Sequence, residues 1–343
     1  MPQNDESEQL GLQRGSEPLR RRVACFAGVF SLMGALSACT QSGHEVVPAN
    51  RGAQMRAPAS DASPRLNTWA NFVDGLNEPG PIQFEKHVAA DWAVPLSGLL
   101  NLKHERAKEA RLKNRTEAIQ IFFYVLEHPD HGAFMVDSGV ARSVAERSKN
   151  MPLKWPVTSA MPMEDMRVRL DTRTYLESRN TPLKGVFLTH LHLDHILGLQ
   201  DVPKHIPIFV GPGETKDKRF THLFVRSTTK LNLKGFGPLR RWQVSAHDGD
   251  APLAYVDIFG DQSVMGLHIP GHTMGNMAFV VRSTEGPQLL VGDGCHTKWG
   301  WLNDVEPGTY NTDGDEAARS LEHLRALAHA HPKMQIHLGH QEI

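Results

Sequence analysis

The sequence has few of the residues that stabilise small exported domains or form thiolate metal sites. Cysteine occurs only three times in 343 residues, at Cys25, Cys39 and Cys295, which excludes a disulfide-rich scaffold and a zinc site built on clustered cysteines. An excess of charge of one sign is also lacking, because 37 Lys and Arg stand against 38 Asp and Glu, for a net charge of −1. This balance gives no global electrostatic reason to expect nucleic acid as a partner.

Long apolar runs and phosphate-binding loops are lacking as well. The apolar run at 23–36 is shorter than the roughly 20 residues that cross a bilayer. Gly211-Pro212-Gly213 has neither the spacing nor the following Lys and Ser or Thr of a nucleotide-binding loop. Histidine, in contrast, is abundant, with 19 residues that gather in the second half of the chain.

The N-terminus has the features of an export signal. Arg20-Arg21-Arg22 precedes the apolar run, as the charged region of a signal peptide does. The run ends in Leu36-Ser37-Ala38-Cys39, which resembles the lipobox of bacterial lipoproteins. This resemblance implies cleavage before Cys39, a membrane anchor on its thiol and a place in the bacterial cell envelope, periplasmic or on the outer membrane. An ordinary signal peptide with an incidental cysteine is the alternative, and the polar stretch at 1–19 suggests a start codon further downstream.

Three segments follow from composition. Residues 1–38 are predicted to be the signal peptide, and 39–67, rich in Ser, Ala, Pro, Gly and Arg, a flexible tether. A partly ordered N-terminal arm is the alternative for the tether. Residues 68–343 are predicted to form one domain, whose only cysteine is Cys295.

The pattern within 68–343 predicts an α+β fold. Strand-like runs lie at 119–127, 132–136, 185–189, 206–210, 254–259, 263–269, 276–282, 288–291 and 334–338, and helical patterns at 140–149, 166–178 and 315–330. Strands dominate both halves, and a helix and a strand close the chain. This order favours an αββα sandwich, in which helices flank two mixed β-sheets, over a doubly wound parallel sheet.

A dense group of potential metal ligands follows the run at 185–189. His190-Leu191-His192-Leu193-Asp194-His195 supplies imidazole and carboxylate, which are the ligands that zinc accepts besides thiolate. His190 and His192 are two residues apart, so an extended backbone directs both side chains the same way. Asp194 and His195 come just after, where a turn directs them to a neighbouring metal.

This segment resembles the signature of the metallo-β-lactamase superfamily, and the resemblance extends over about 68–343. Four further motifs resemble those of the family and occur in the matching order: Phe134-Met135-Val136-Asp137-Ser138-Gly139, Pro270-Gly271-His272-Thr273, Gly292-Asp293-Gly294 and Leu338-Gly339-His340. The resemblance implies the αββα fold and a centre of two Zn²⁺, although iron or manganese suits the same ligands.

The resemblance also implies a role for each matching residue. The first metal takes His190, His192 and His272, the second takes Asp194, His195 and His340, and Asp293 bridges both. Asp137 is a structural carboxylate beside the site. His337, three residues before His340, is the alternative ligand at the end of the chain.

In the family, a hydroxide shared by the two metals attacks a carbonyl, which the metals polarise. We therefore count Asp194 among the catalytic residues as well as among the ligands. The bridging Asp293 argues against a true β-lactamase and favours the acyl-homoserine lactonase-like branch. That branch usually has a Tyr three residues after the bridging Asp, whereas this sequence has His296. His296 is either a donor or general acid in place of that Tyr, or a supporting or solvent-facing histidine.

These features predict a metal-dependent hydrolase that opens an ester or lactone of a small molecule. A glyoxalase II-like thioesterase, or another small-molecule hydrolase with the same metals, is the enzymatic alternative. The remaining alternative is a non-catalytic zinc-binding lipoprotein. Neither the substrate nor the oligomeric state follows from the sequence.

Overall fold

The computed structural model describes residues 44–49, 68–153, 157, 163–216, 220–245 and 251–343. Within these ranges, no helix is both long enough and apolar enough to cross a membrane. The signal peptide predicted for 1–38, with Cys39, lies outside them.

Thirteen strands form two mixed sheets in the described part of the chain. The larger sheet has the order β1-β8-β7-β6-β4-β3-β2-β5 and the smaller one β13-β12-β11-β10-β9. The strands are β1 (Val46–Pro48), β2 (Gln83–Pro95), β3 (Thr116–His128), β4 (Gly132–Val136), β5 (Arg167–Val168), β6 (Leu183–Phe187), β7 (Ile208–Val210), β8 (Leu239–Arg241), β9 (Tyr255–Asp257), β10 (Val264–His268), β11 (Met277–Ser283), β12 (Gly286–Gly292) and β13 (Gln335–Leu338).

Helices connect and cover these strands. They are α1 (Trp69–Gly75), α2 (Leu96–Leu99), α3 (Glu105–Glu109), α4 (Arg142–Ala145), α5 (Thr172–Ser178), α6 (Leu193–Ile196), α7 (Phe220–Asn232), α8 (Lys298–Asn303) and α9 (Gly314–Ala330), with 3₁₀ turns at Met163–Asp165, Leu197–Gln200 and Glu214–Lys216. Asp313 caps α9 by accepting a hydrogen bond from the backbone N–H of Glu316, which satisfies one of the free donors at a helix start.

The strand β3 shows how one element serves two cores. Because side chains alternate along a strand, Ile121 and Phe123 face the core on the helix side of the larger sheet. Phe122 and Tyr124 face the opposite way, into the core between the two sheets. In that inter-sheet core, rings from the two sheets meet.

Phe187 of β6 and Phe279 of β11 stack there with ring centroids 6.1 Å apart. On the far side of the smaller sheet, α1 and α9 cover a third core that includes Phe72 and Leu324. The layers are therefore helices, sheet, sheet and helices, as predicted.

Two predicted helices are shorter in the structure than the sequence pattern indicated. The helix predicted for 140–149 spans only α4, because Arg147 adopts a left-handed backbone with φ 51° that does not continue a helix. The helix predicted for 166–178 begins only at Thr172, where Asp171 accepts a hydrogen bond from the N–H of Thr174 as an N-cap. The two residues of β5 pair instead with Ala90 and Asp91 of β2.

The tether predicted for 39–67 is wrong for residues 44–49, where the alternative of a partly ordered arm applies. The strand β1 pairs in parallel with β8 and so satisfies backbone groups that would otherwise lie at a free sheet edge. Residues 39–43 and 50–67 lie outside the described part. The elements that the sequence pattern did not predict include the strands β2 and β8 and the helices α1, α2, α3, α7 and α8.

Candidate metal centre

Strand ends from both sheets bring the predicted ligands together. The chain leaves β6 of the larger sheet at Phe187 and enters the histidine segment three residues later, at His190. In the smaller sheet, Asp293 follows β12 directly and His340 comes two residues after β13. Since β12 and β13 are parallel neighbours, these two side chains lie at the same edge. His272 comes from the loop between β10 and β11.

All seven predicted ligands form two adjacent groups that share one carboxylate. The ligand atoms within each group lie within 4.8 Å of one another, and the groups are His190, His192, His272 and Asp293, and Asp194, His195, Asp293 and His340. His337, the alternative at the end of the chain, is outside both groups, and its Nε2 is 2.9 Å from Oε1 of Gln288. This arrangement is the one expected for two metals with a common ligand.

The nitrogens of the first group approach each other as metal ligands do. His272 Nε2 lies 2.8 Å from His192 Nδ1 and 3.2 Å from His190 Nε2. The other nitrogen of His272, Nδ1, is 3.3 Å from Oδ1 of Asn311. The amide nitrogen of Asn311 donates to the Pro307 carbonyl, so its oxygen accepts the Nδ1 proton and the Nε2 lone pair of His272 points into the group. A cation fits where such lone pairs converge.

The second group has the same signature. His195 Nδ1 donates to Oδ2 of Asp137 over 2.7 Å, and His340 Nδ1 donates to the Gln120 carbonyl over 2.9 Å. The Nε2 atoms of both rings then face Asp293, each 3.4 Å from a carboxylate oxygen. Both His195 Nε2 and Asp293 Oδ1 are buried without a hydrogen-bond partner, which a bound metal would supply.

Asp137 lies beside the second group, where the sequence predicts a structural carboxylate. It is buried, has a left-handed φ of 56°, and also accepts a 2.8 Å hydrogen bond from the N–H of Thr189. Asp tolerates this backbone region better than most residues. The carboxylate thereby ties the end of β6 to the ring of His195 and fixes which nitrogen faces the centre.

Electrostatics favours the ligating forms of the first group. Burial and neighbouring histidines hold the pKa of His190 well below its usual range. Burial acts to raise the pKa of Asp293, but the charges of His296, His340 and His195 outweigh it and leave this pKa well below its usual range.

In the second group, burial acts to lower the pKa of His340, yet Asp293 and Asp194 raise it to about 10. Because His340 must lose a proton to bind a metal, metal affinity is expected to fall as pH falls.

His296 is buried in the wall of the centre. The residue is only 1% exposed, so the solvent-facing alternative is wrong: the end of α2 covers the ring. Its Nδ1 is 3.0 Å from the Leu99 carbonyl, and its Nε2 is 3.0 Å from Asp293 Oδ2. The ring lies between those of His272 and His340, with centroids 5.0 Å and 5.4 Å away.

Several contacts of the centre have no signal in the sequence. Asn311, the Gln120 carbonyl and the Leu99 carbonyl each hold one histidine ring, yet they lie 39 or more positions away from that histidine along the chain. An asparagine in a loop or a backbone carbonyl in a strand has no local pattern that marks such a role.

Comparison with known proteins decides the family. A model of the metallo-beta-lactamase superfamily matches residues 117–340. The chain belongs to this superfamily. The predicted fold class is thereby confirmed.

Curated relatives include a lactonase and a hydroxyacylglutathione hydrolase. The chain is 28% identical over 238 residues to N-acyl homoserine lactonase AttM of Azorhizobium caulinodans. The match covers 68% of this chain and 86% of that protein. It is 30% identical over 112 residues to hydroxyacylglutathione hydrolase of Salmonella gallinarum, 32% of each protein.

Solved structures show the same fold. A mutant of AiiA from B. thuringiensis, with N-decanoyl-L-homoserine bound at its active site, has a TM-score of 0.53 at 18% identity, covering 76% of this chain and 93% of that one. AidC, a dizinc quorum-quenching lactonase in complex with a product, has a TM-score of 0.50 at 15% identity, covering 77% and 88%.

The two histidines near the C-terminus offer a direct test of the ligand set. We expect the purified protein to retain about two divalent ions per chain, as two-metal hydrolases do. His340→Ala should retain about one, because the second group loses a nitrogen. His337→Ala, a matched buried histidine outside both groups, should retain two. Elemental analysis of dialysed protein measures the ratio, and loss of an ion in His337→Ala but not in His340→Ala would contradict the ligand set.

Proposed function

We propose that this protein is a metal-dependent hydrolase that opens the ester or lactone carbonyl of a small molecule at a dinuclear zinc centre. The observation that carries the proposal is the pair of four-residue ligand groups that share Asp293. Structural zinc sites are closed by their own protein ligands, whereas two metals with a common carboxylate leave positions for water and substrate. The lactonase relatives, matched over 86% of their length, support the same chemistry.

When bound, two zinc ions supply Lewis acidity and lower the pKa of water to about 7. The side chains of the seven proposed ligands divide into buried and partly exposed ones. The side chains of His190, His195 and Asp293 are at most 6% exposed, whereas that of Asp194 is 17% exposed. Of the seven ligands, His192 and Asp194 are the two that are partly exposed, so substrate approaches on their side, and we include Asp194 with the catalytic residues.

His296 is proposed to donate a proton from Nε2 to the leaving oxygen. Its Nδ1 faces a carbonyl oxygen, which only accepts hydrogen bonds, so the ring donates from Nε2 only when both nitrogens carry protons. In hydrolysis, water adds to the carbonyl carbon, the bond from that carbon to the leaving oxygen breaks, and the leaving oxygen takes up a proton. The Nε2 atom, 3.0 Å from the bridging carboxylate, is close to where this oxygen departs.

The rim beside His296 offers apolar surface for a substrate. Tyr310, 39% exposed, has its ring centroid 6.4 Å from that of His296. Met274, 46% exposed, follows His272 by two residues on the neighbouring loop. An acyl or alkyl group can pack on these side chains while its carbonyl reaches the metals.

A thioesterase is the second candidate function. The 112-residue match to hydroxyacylglutathione hydrolase favours it, since the same metals and the same buried donor act on a thioester carbonyl. The leaving atom is then sulfur, whose thiolate needs a proton less than an alkoxide does.

A substrate panel tests the function. We expect the zinc-loaded protein to hydrolyse lactones or esters faster than thioesters, and β-lactams not at all. Asp293→Ala should lower the rate to that of the reaction without enzyme, because both metals lose a ligand. A faster thioester reaction would support the second candidate, and two bound metals with no hydrolysis of any substrate would support a non-catalytic zinc-binding protein.

Substitutions at His296 test the proton donor. His296→Ala should lower kcat/KM on the best lactone or ester about 100-fold or more, the usual contribution of a general acid, while the metal content stays at the wild-type value. His296→Tyr and His296→Phe differ only by a hydroxyl, so Tyr should retain more activity if donation matters. Equal activity of the Tyr and Phe variants, or full activity of His296→Ala, would exclude the role.

From the predicted export signal we make a separate proposal, that the mature chain is a lipoprotein of the bacterial cell envelope anchored through Cys39. Its support is the charged region, apolar run and Leu36-Ser37-Ala38-Cys39 at the N-terminus. Radiolabelled fatty acid should enter the wild-type protein in bacterial cells and not the Cys39→Ser variant. Recovery of unlabelled wild-type protein in the soluble periplasmic fraction would contradict the anchor.

A further inference from the structure

The two halves of the first metal site belong to different sheets. His190 and His192 follow β6 of the larger sheet, whereas His272 lies between β10 and β11 of the smaller one. Affinity for a metal depends on the distance between these ligands, and tenths of an ångström matter. Contacts between the two loops therefore have to fix that distance.

The carboxylate of Glu214 joins the two loops. It stands in the 3₁₀ turn after β7 and is 3% exposed. Its Oε1 accepts a 2.7 Å hydrogen bond from the N–H of Leu191, the residue between His190 and His192. Its Oε2 accepts hydrogen bonds from Thr273 Oγ1 at 2.6 Å and from the N–H of Gly275 at 3.1 Å.

Close backbone packing supports this arrangement independently. A Cβ at Gly211 would lie 1.8 Å from the carbonyl oxygen of Gly275, and a Cβ at Gly275 would lie 2.5 Å from the Cβ of Glu214. Only glycine permits such close approach. The Gly211-Pro212-Gly213 turn does not fit a phosphate loop. It packs the segment that carries Glu214 directly against the loop of His272.

Hydrogen bonds to a buried carboxylate are stronger than those between neutral groups. A buried carboxylate without hydrogen-bond donors also carries a large free-energy cost. Because the donors to Glu214 come from both loops, the hydrogen bonds favour the observed separation of the loops. The second ligand group has its own supports, because His195 is held by Asp137 and His340 by the Gln120 carbonyl. The link through Glu214 is thus specific to the first group.

We propose that Glu214 is a positioning residue that sets the separation of His192 and His190 from His272 and thereby the affinity of the first metal site. This proposal rests on the dinuclear centre of the proposed function. It adds that the first of the two metal sites depends on the Glu214 side chain and the second does not. Glu214 binds no metal and touches no substrate in this role.

The consequence is selective loss of one metal. In Glu214→Gln, the amide nitrogen must face the N–H of either Leu191 or Gly275, so one link is lost. Glu214→Ala loses all of them. Thr273→Val removes a single hydroxyl and keeps the shape of the side chain, which provides a milder variant should Glu214→Ala fail to fold. Asp257→Asn is the matched control, because Asp257 also holds a loop through two backbone N–H groups, of Gly260 and Gln262.

A chelator challenge of the zinc-loaded full-length protein measures the effect. The ions released per chain are counted at increasing chelator concentration. We expect Glu214→Gln and Glu214→Ala to release one ion at a chelator concentration about 10- to 100-fold lower than the wild type does, the usual range for residues that support a ligand. Thr273→Val should shift the same ion in the same direction by a smaller factor, and the second ion should follow the wild-type curve.

Three results would overturn the proposal. The first is a wild-type curve in every Glu214 and Thr273 variant, and the second is an equal shift of both ions. The third is the same one-ion shift in Asp257→Asn, since it would show a general effect of loosened loops. A wild-type protein that never holds two ions would instead contradict the dinuclear centre itself, so failure of the positioning role and failure of the proposed function give different curves.

Discussion

Crowding of ligands around one buried carboxylate is the constraint on which the rest of this structure depends. Five histidine nitrogens, from His190, His195, His272, His296 and His340, lie 3.0–3.6 Å from the oxygens of Asp293, whose side chain is 3% exposed. Without an ion, buried atoms such as His195 Nε2 and Asp293 Oδ1 have no hydrogen-bond partner. Divalent cations convert this unfavourable arrangement into a favourable one.

The sandwich provides the rigid elements that such a centre needs. The ends of β6, β12 and β13 place three of the ligand segments, and the packing of Phe187 against Phe279 holds the two sheets in register behind them. The rings of His195, His272, His296 and His340 each receive a second contact that fixes their orientation, from Asp137, Asn311 or a backbone carbonyl. Glu214 adds a link between loops of the two sheets, so the positions of the ligands are determined before a metal binds.

The sequence predicts those parts of the site whose residues lie close together along the chain. His190 to His195 form a dense motif after a buried strand, and Asp293 and His340 each follow a strand that was readily predicted. Most strands of the two sheets and the helix α9 follow from local patterns in the same way, although β1, β2, β5 and β8 do not. The membership of these residues in one site, however, rested on resemblance to a family and not on periodicity.

Features that depend on distant contacts could not be predicted. Arg147 ends α4 by its backbone conformation, and Val46–Pro48 becomes a strand only because β8 offers a free edge. The roles of Asn311 and Glu214 depend on partners that are far away in the chain. The burial of His296 depends on α2, almost 200 positions earlier. Sequence spacing alone therefore left open whether this histidine meets solvent or the metals.

The substrate is set by what surrounds the metals and not by the metals themselves. In the proposed function, His296 stands where the lactonase-like branch usually has a Tyr, beside the ring of Tyr310, and it is the proposed proton donor next to Asp293.

A crystal structure of the zinc-loaded protein with anomalous data at the zinc edge tests the dinuclear centre most directly. We expect two anomalous peaks roughly 3.5–4 Å apart, one bound by His190, His192 and His272, the other by Asp194, His195 and His340, with Asp293 between them. A single peak, or two peaks that do not share Asp293, would contradict the dinuclear centre.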